Sequence, residues 1–563
     1  MDQNITVENL YRQYCTEGFD ENGVLNRFEI HCPDNFNFAY DVLDRFAQLE
    51  PQRRAMVWTN TEGEERCFTF RDMSLASNRA ANMFRANGIR HGDRVLLVLK
   101  RHYEFWIAVL ALNKLGAIAI PATNLLTKKD VEYRIQAADI SAAVCTATCE
   151  IAGYVDEAEQ ELNRRLDAKF ICRGQREGWL DFSQEMERFP DQLDRVDTRV
   201  SDGMLLYFTS GTTGNPKMVL HSHRYAFYHV PTASQWHCVD PKGLHMTVAE
   251  TGWGKAAWGK LYGQWFTGAG LFVYDFDKFV PGDLLEMIRK YRLTTFCAPP
   301  TIFRFLIKEG MDKDAFASVQ HVTTAGEALN DEVYNRFKEI TGLELMEGFG
   351  QTESGMLVGN LRGMKPRPGS MGKPSPMYHV DIVDEDCHSV ELGVVGEIVI
   401  RPPAEGQFTG LFEGYYRDEE RTAAAWEGGV YHTGDTAYQD EDGYYWYVGR
   451  TDDVIKASGY RIGPFEVESV LMEHPAVLEV AVTGAPDPIR GQVVKATIVL
   501  TSQYQPSDQL KKELQNHVKR STAPYKYPRI IEFVPELPKT ISGKIKRSEI
   551  RNRDNPIHPH PHP

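Results

Sequence analysis

The chain has 563 residues, of which 42% are hydrophobic and 25% are charged, and its formal net charge is −15. This length exceeds what one hydrophobic core normally holds, so we expect at least two domains. The acidic balance argues against nonspecific nucleic-acid binding, because that binding needs a basic surface.

The cysteines and the first residues predict a location. Nine cysteines are scattered without the spacing of a zinc site or a disulfide framework. The amino terminus lacks the basic and apolar regions of a signal peptide, and Lys114 interrupts the longest apolar run, so no membrane span is expected. We therefore expect a cytoplasmic protein, and a homo-oligomer stays open.

The first part of the chain predicts an α/β fold. Residues 1–53, rich in aromatic and acidic side chains, predict an irregular and helical lead-in. Apolar runs at 93–99, 117–120 and 142–145 predict buried strands, separated by helical patterns. Strand, helix and strand at these lengths indicate βαβ units with a parallel sheet.

A loop rich in glycine and threonine follows, made of Thr209, Ser210, Gly211, Thr212, Thr213, Gly214, Asn215, Pro216 and Lys217. Apolar runs flank it on both sides, so we expect it to join two strands. Its glycines let the backbone approach a ligand, and successive N–H groups in such a turn suit an anion. It is not a Walker A loop, because Asn215 and Pro216 separate Gly214 from the lysine. The loop predicts a polyphosphate ligand.

Four further strings stand out downstream. They are Ala325-Gly326-Glu327-Ala328, Glu347-Gly348-Phe349-Gly350-Gln351-Thr352-Glu353, Tyr431-His432-Thr433-Gly434-Asp435, and Lys539-Thr540-Ile541-Ser542-Gly543-Lys544. Singly, each is compatible with an ordinary turn. Between residues 251 and 266 three tryptophans cluster, and this pattern fits a core or an apolar pocket about equally.

Together with the loop at 209–217, these strings resemble the signature motifs of the acyl-adenylate-forming family. That family includes acyl- and aryl-CoA synthetases, peptide-synthetase adenylation domains and beetle luciferases. The resemblance covers nearly the whole chain, in the family's order. It implies a large amino-terminal domain of parallel βαβ sheets plus a distorted β-barrel (1–449), a hinge at 450–453, and a small mobile α+β domain (454–563).

The resemblance also implies roles for individual residues. Lys544, Thr352 and Glu353 would be catalytic, and Glu353 would hold Mg²⁺ through a hard oxygen. Residues 209–217, 326–328 and 347–352 would bind ATP, while Asp435 and Arg450 would contact its ribose. Asp452 matches the hinge residue. The implied coenzyme A contacts are Ser458, Gly459, Tyr460, Arg461, Arg490 and Lys519. The implied acyl pocket is His223, Trp258, Trp265 and Gly350.

The implied reaction is a two-step ligation. A carboxylate attacks the α-phosphorus of ATP to give an acyl-adenylate and pyrophosphate, and the thiol of coenzyme A then displaces AMP. Gly350 stands where acetyl-CoA synthetases have a tryptophan, which predicts room for a medium-chain or branched acid. An aryl-CoA ligase, a carrier-protein adenylating enzyme and a non-catalytic nucleotide-binding paralogue remain alternatives.

Overall fold

Two large sheets dominate the amino-terminal domain in the computed structural model, which describes residues 5–209, 215–403, 410–457, 460–488, 490–540 and 544–554. The first sheet has eight strands, in the spatial order Gly414–Tyr415, Lys217–Ser222, Gly203–Thr209, Ile118–Pro121, Arg94–Val98, Ala142–Thr146, Ala168–Cys172 and Leu180–Asp181. The predicted βαβ units are confirmed here, since the central strands pair in parallel around the connecting helices. These strands are apolar along their length because helices cover both faces.

The second sheet has thirteen strands, and their pairing changes from parallel to antiparallel within the sheet. Its spatial order is His379–Val383, Gly396–Arg401, Tyr431–Gln439, Tyr445–Arg450, Ser370–Pro374, Met356–Gly359, Leu345–Gly350, His321–Thr324, Thr295–Ala298, Leu244–Thr247, Gly270–Asp275, Arg54–Asn60 and Glu65–Thr69. Leu345–Gly350 pairs in parallel with one neighbour and antiparallel with the other. The antiparallel strands that we expected as a distorted barrel therefore continue from the parallel part. The string beginning at Glu347 lies at this junction.

The α-helices fill the faces of the sheets. They span Arg45–Leu49, Phe70–Ala86, Glu104–Leu115, Lys128–Ala137, Ile151–Glu161, Phe182–Met186, Tyr225–Pro231, Gly254–Gly259, Tyr262–Phe266, Pro281–Lys290, Pro300–Lys308, Asp331–Thr341, Glu419–Ala425, Pro464–Met472, Asp508–Ser521 and Arg547–Asp554. Among the residues described, none of these helices combines the length and apolarity that crossing a bilayer requires.

A smaller carboxy-terminal domain carries its own sheet and core. Its five strands are Tyr460–Ile462, Ile455–Ala457, Gly491–Leu500, Val477–Asp487 and Ile530–Phe533. Val467, Leu471, Ala496 and Ile498 belong to a hydrophobic cluster that this domain forms by itself. The expected α+β character of the domain is confirmed.

The expected irregular and helical lead-in is wrong in one segment. Cys15–Phe19 pairs antiparallel with Leu25–Ile30 as a β-hairpin. The Asp20 carboxylate accepts hydrogen bonds from the backbone N–H groups of Asn22 and Val24, and Gly23 takes a φ of 77°. An aspartate that closes its own turn and a glycine in the left-handed region are strong turn formers, and here they outweigh weak strand patterning.

Candidate active site

The glycine- and threonine-rich loop joins two antiparallel strands, as predicted. Thr209 ends one strand and lies opposite Lys217, which begins the next. Asn215 and Pro216 precede that lysine, and the carbonyl of Pro216 accepts a hydrogen bond from Tyr133 at 3.3 Å. Ser210, Gly211, Thr212, Thr213 and Gly214 lie outside the described residues.

Lys217 and Glu353 meet at one tyrosine. The Lys217 ammonium donates to the hydroxyl oxygen of Tyr415 at 3.3 Å, and that hydroxyl donates to Glu353 Oε1 at 3.0 Å. Burial lowers the pKa of Lys217, while the Glu353 carboxylate opposes that shift. Glu353 is only 8% exposed and its partner here is a neutral hydroxyl. A nearly buried carboxylate that has no ion-pair partner among the described residues fits Mg²⁺, which prefers hard oxygen ligands.

Asp435 is the centre of a dense hydrogen-bond network. Its carboxylate accepts from Gln351 Nε2 at 2.6 Å, from Arg450 Nη1 at 3.1 Å and from the Tyr447 hydroxyl at 3.1 Å. Burial raises the pKa of Asp435 and these donors oppose the shift. A carboxylate has about four acceptor positions, so about one remains for a ligand hydroxyl. The network also links two predicted motifs, because Gln351 and Asp435 belong to different strings.

The strand junction holds Thr352 against the strand Lys217–Ser222 and the helix Gly254–Gly259, through residues that lie outside the motifs. The Thr352 carbonyl lies 2.7 Å from His221 Nε2. On the other side, a Cβ at Gly254 would come within 3.3 Å of the Thr352 hydroxyl oxygen. The glycine therefore allows the helix Gly254–Gly259 to begin directly beside Thr352.

The string 325–328 contacts the same helix. Gly326 has a φ of 101°, and the Ala325 carbonyl accepts a hydrogen bond from the Lys255 ammonium at 2.6 Å. Glu327 is exposed and accepts from the Thr301 hydroxyl at 2.7 Å, and Ala328 is partly exposed. Neither Lys255 nor His221 was singled out from the sequence, since neither belongs to a recognisable string.

The motif at 347–353 begins with Glu347, Gly348 and Phe349. The Phe349 ring lies 6.2 Å from that of Tyr447. Glu347 Oε1 accepts from the backbone N–H of Leu329 at 3.2 Å, and burial raises the pKa of this carboxyl to about 8. The carboxyl is therefore uncharged at neutral pH and ties the string at 325–328 to this strand.

Lys544 reaches the amino-terminal domain. The Thr540 N–H donates to the Lys544 carbonyl at 2.7 Å, and residues 541–543 between them lie outside the described part. The positive charge of Lys544 lowers the pKa of both Asp435 and Lys255. The exposed Lys544 therefore lies within electrostatic range of two residues of the larger domain.

At the predicted hinge, acidic side chains form ion pairs with arginines before and after it in the chain. Asp452 lies 3.9 Å from Arg450 and 3.7 Å from Arg551. The neighbouring Asp453 is also paired with Arg551.

The residues predicted for coenzyme A have partners of their own in this arrangement. Ser458 and Gly459 lie outside the described residues. Tyr460 stacks on Tyr525 with ring centroids 4.1 Å apart, and Arg461 forms an ion pair with Glu385 at 2.8 Å. Arg490 lies 4.0 Å from Asp487, and the Lys519 ammonium lies 4.0 Å from the Tyr527 ring centroid.

The space that we expected beside Gly350 is filled. A Cβ at Gly350 would meet Cη2 of Trp258 at 2.3 Å, and one at Gly348 would meet the Trp236 indole at 2.7 Å. The room that the glycine was expected to leave is therefore occupied by an indole of the helix Gly254–Gly259, and the extent of the acyl pocket stays a prediction.

Two other predicted pocket residues lie elsewhere. Trp265 is fully buried, packs against Phe70 and donates to the Ala55 carbonyl at 2.8 Å, so it is a core residue. His223 is fully buried, and this burial lowers its pKa to about 4 although the charge of Asp202 opposes the shift. The strand that begins at Lys217 ends at Ser222, so His221 lies within it and His223 follows its end. His221 is the histidine that adjoins Thr352.

Comparison with known proteins decides the family. The model of the AMP-binding enzyme family matches residues 43–416, and the model of the AMP-binding enzyme C-terminal domain matches residues 466–544. The chain belongs to the AMP-binding enzyme family. Among curated relatives, mouse acyl-coenzyme A synthetase ACSM3 is 42% identical, with 94% of this chain and 92% of the relative covered. Rat ACSM5 is 43% identical, with 93% and 91% covered. The expected class, an AMP-forming acyl-CoA synthetase, is confirmed.

Solved structures of the family agree with the fold. The anthranilate CoA ligase AuaEII, in complex with anthranoyl-AMP, superposes with a TM-score of 0.84 at 29% identity, covering 93% of this chain and 98% of that one. A benzoate CoA ligase from Burkholderia xenovorans LB400 gives 0.80 at 26% identity, covering 92% and 100%.

The expected cytoplasmic location is contradicted by the curated relatives. The names of mouse ACSM3 and rat ACSM5 assign both proteins to mitochondria. The scattered reduced cysteines were a poor guide, because a reducing environment is not confined to one compartment.

Proposed function

We propose that this AMP-binding enzyme activates a medium-chain or branched carboxylic acid with ATP and transfers the acyl group to coenzyme A. The single observation that carries the proposal is the convergence of Lys217, Glu353, Asp435 and Lys544 on one cleft. Those side chains supply a phosphate cation, a metal ligand, a hydroxyl acceptor and a second cation. Nucleotidyl transfer depends mainly on such positioning and charge neutralisation.

Each residue has a defined part in the proposed reaction. Thr352 and the loop at 209–217 position the phosphates, and Lys217 balances their charge. Asp435 accepts from a ribose hydroxyl through its remaining acceptor position. Mg²⁺, when bound at Glu353, would neutralise phosphate charge. The acid is already ionised at neutral pH, so the first step needs no general base.

Two arrangements of the small domain complete the cycle. We propose a boundary at residues 450–453, with rotation at Asp452. Lys544 serves the first step from its present position beside Asp435. The second step then uses the face that carries Tyr460 and Arg461, once Arg461 leaves Glu385.

The packing around Gly350 supports the shorter acids of the proposed range. Trp258 lies against Gly350 and Trp236 against Gly348, so the space beside both glycines is occupied. The curated relatives named acyl-coenzyme A synthetases support an acyl-CoA product, while the anthranilate and benzoate ligases keep aromatic acids in the test.

The test measures pyrophosphate release from ATP and Mg²⁺ with acids from acetate to decanoate, including branched and aromatic ones, each with and without coenzyme A. Pyrophosphate release that yields acyl-CoA with medium-chain or branched acids is the expected result. Release without thioester would indicate another acceptor, and a silent panel would refute the proposal. A preference for benzoate or anthranilate would replace the aliphatic acid by an aromatic one.

A further inference from the structure

Lys255 is a cation in the cleft that none of the motifs contains. It lies in the first turn of the helix Gly254–Gly259, between two strings of the site. Its neighbour Gly254 packs against Thr352, and its ammonium lies 3.8 Å from the position that a Cβ would take on Gly326. The residue is partly exposed, so a ligand could reach it.

The bonding of this ammonium is incomplete. Among the residues that the structure describes, its acceptor is the Ala325 carbonyl, and no carboxylate lies within ion-pair distance. An ammonium has three N–H donors, so two remain for a ligand. Burial lowers the pKa of Lys255, because it disfavours the charged form of the ammonium.

Lys544 places a second positive charge near Lys255. Its charge also lowers the pKa of Lys255, so the two ammonium groups lie within electrostatic range of each other, whereas Cys297 and Glu327 act in the opposite direction. Two cations at one site repel each other unless an anion lies between them. The phosphates of ATP already have Lys217, the loop at 209–217 and the metal ligand Glu353. The reactant still lacking a fixed cation is the acid.

We propose that Lys255 binds the carboxylate oxygen of the acid and remains on it through both steps. This inference rests on the proposed function. In the first step, one carboxylate oxygen attacks the α-phosphorus and the bond to pyrophosphate breaks, while Lys255 holds the other oxygen. In the second step the thiolate sulfur attacks the acyl carbon, negative charge collects on that held oxygen, and the bond to AMP breaks. The thiol proton leaves to solvent.

The two lysines should therefore differ in which step they serve. Lys544 belongs to the domain that rotates, whereas Lys255 belongs to the amino-terminal domain and stays beside Thr352. Removing one hydrogen-bond donor from a developing oxyanion typically costs about 10²–10³ in rate. Loss of Lys255 should lower both half-reactions, and loss of Lys544 should lower mainly the first.

The experiment compares Lys255→Met and Lys255→Gln with Lys544→Met in separated half-reactions. Adenylation is followed by exchange of pyrophosphate into ATP, and thioester formation is followed from preformed acyl-AMP and coenzyme A. The expected result is a loss of about 10²-fold in both half-reactions for the Lys255 variants. The KM for the acid should rise while the KM for ATP stays within about twofold, and Lys255→Arg should restore part of the loss.

Lys260→Met is the matched control. Lys260 lies on the same segment and its ammonium also donates to a backbone carbonyl, that of Ala249 at 2.9 Å, but it is 3% exposed. This variant should keep both rates. If the wild type is active and the Lys255 variants keep its rates, the inference about Lys255 is overturned while the proposed function stands. The same holds if the variants raise the KM for ATP instead of the KM for the acid. A wild type that releases no pyrophosphate would overturn the proposed function as well.

Discussion

Replacing Glu347 by glutamine should make the amino-terminal domain less sensitive to rising pH. The carboxyl is 5% exposed, one of its oxygens has the Leu329 N–H as partner, and the other has none among the described residues. Burial raises its pKa from the ordinary 4.5 to about 8. The folded protein therefore keeps a proton that the unfolded chain releases.

The magnitude follows from this difference in proton binding. Between about pH 5 and pH 8 the unfolded chain binds fewer protons at this site than the folded protein, so the free energy of unfolding falls with rising pH. The slope is about 1.4 kcal/mol per pH unit, which makes about 4 kcal/mol across this range. The contribution is complete below pH 4.5 and is lost as the pH passes 8. Glutamine keeps the acceptor for Leu329 but has no proton to lose.

The assay is urea unfolding of the wild type and Glu347→Gln at several pH values. All nine tryptophans lie before residue 450, so their fluorescence reports the amino-terminal domain. The difference between the two proteins cancels every other titrating group, and the exposed Glu21→Gln serves as the matched control. A difference that stays constant from pH 5 to pH 8 would refute the reasoning, because it would mean that Glu347 is already ionised in the folded state.

Three further outcomes are expected. Asp435→Asn should raise the KM for ATP about 10-fold or more with little change for the acid, because hydrogen bonds to charged groups contribute about 1.5–3 kcal/mol; steady-state kinetics tests this, and an effect on the acid alone would contradict it. Trp258→Ala should shift the preference towards octanoate over butyrate by about 10-fold or more, since each methylene is worth about 1–3 kcal/mol; an unchanged ratio in competition assays would show that the indole does not limit the pocket. Arg547→Met should destabilise the carboxy-terminal domain by about 3 kcal/mol, because Glu468 loses a partner at 2.7 Å and stays buried; hydrogen exchange in the strand Val477–Asp487 would reveal it, and unchanged protection would count against it.

Contiguous strings located the candidate site in the sequence. Thr209 and Lys217, Gln351 to Glu353, and Asp435 each lie in a run whose role is implied by its resemblance to the family motifs, and the strands around them follow from apolar runs. Local sequence is sufficient there because the loop and its flanking strands are neighbours in the chain. The same holds for the βαβ units, whose apolar runs match parallel strands covered on both faces.

Contacts between distant segments could not be predicted in this way. Trp258 and Gly350 were both singled out, yet their packing against each other depends on how a helix approaches a strand junction. Lys255 and Tyr415 gain their roles only from what the fold brings beside them. The amino-terminal hairpin is a different case, because Asp20 and Gly23, which form its turn, are neighbours in the chain.

The contact between the two domains has a consequence for how the enzyme changes state. Arg461 pairs with Glu385, and Asn330 donates to the Ser469 carbonyl at 3.1 Å, whereas the hydrophobic clusters of the two domains remain separate. Exposed ion pairs contribute about 0–1 kcal/mol each, because water replaces them readily. The Arg461–Glu385 pair therefore adds little to the stability of the present arrangement. For the rotation that we propose, differences of a few kcal/mol in substrate affinity would suffice to exchange the populations, and ATP and coenzyme A would then act as their own effectors.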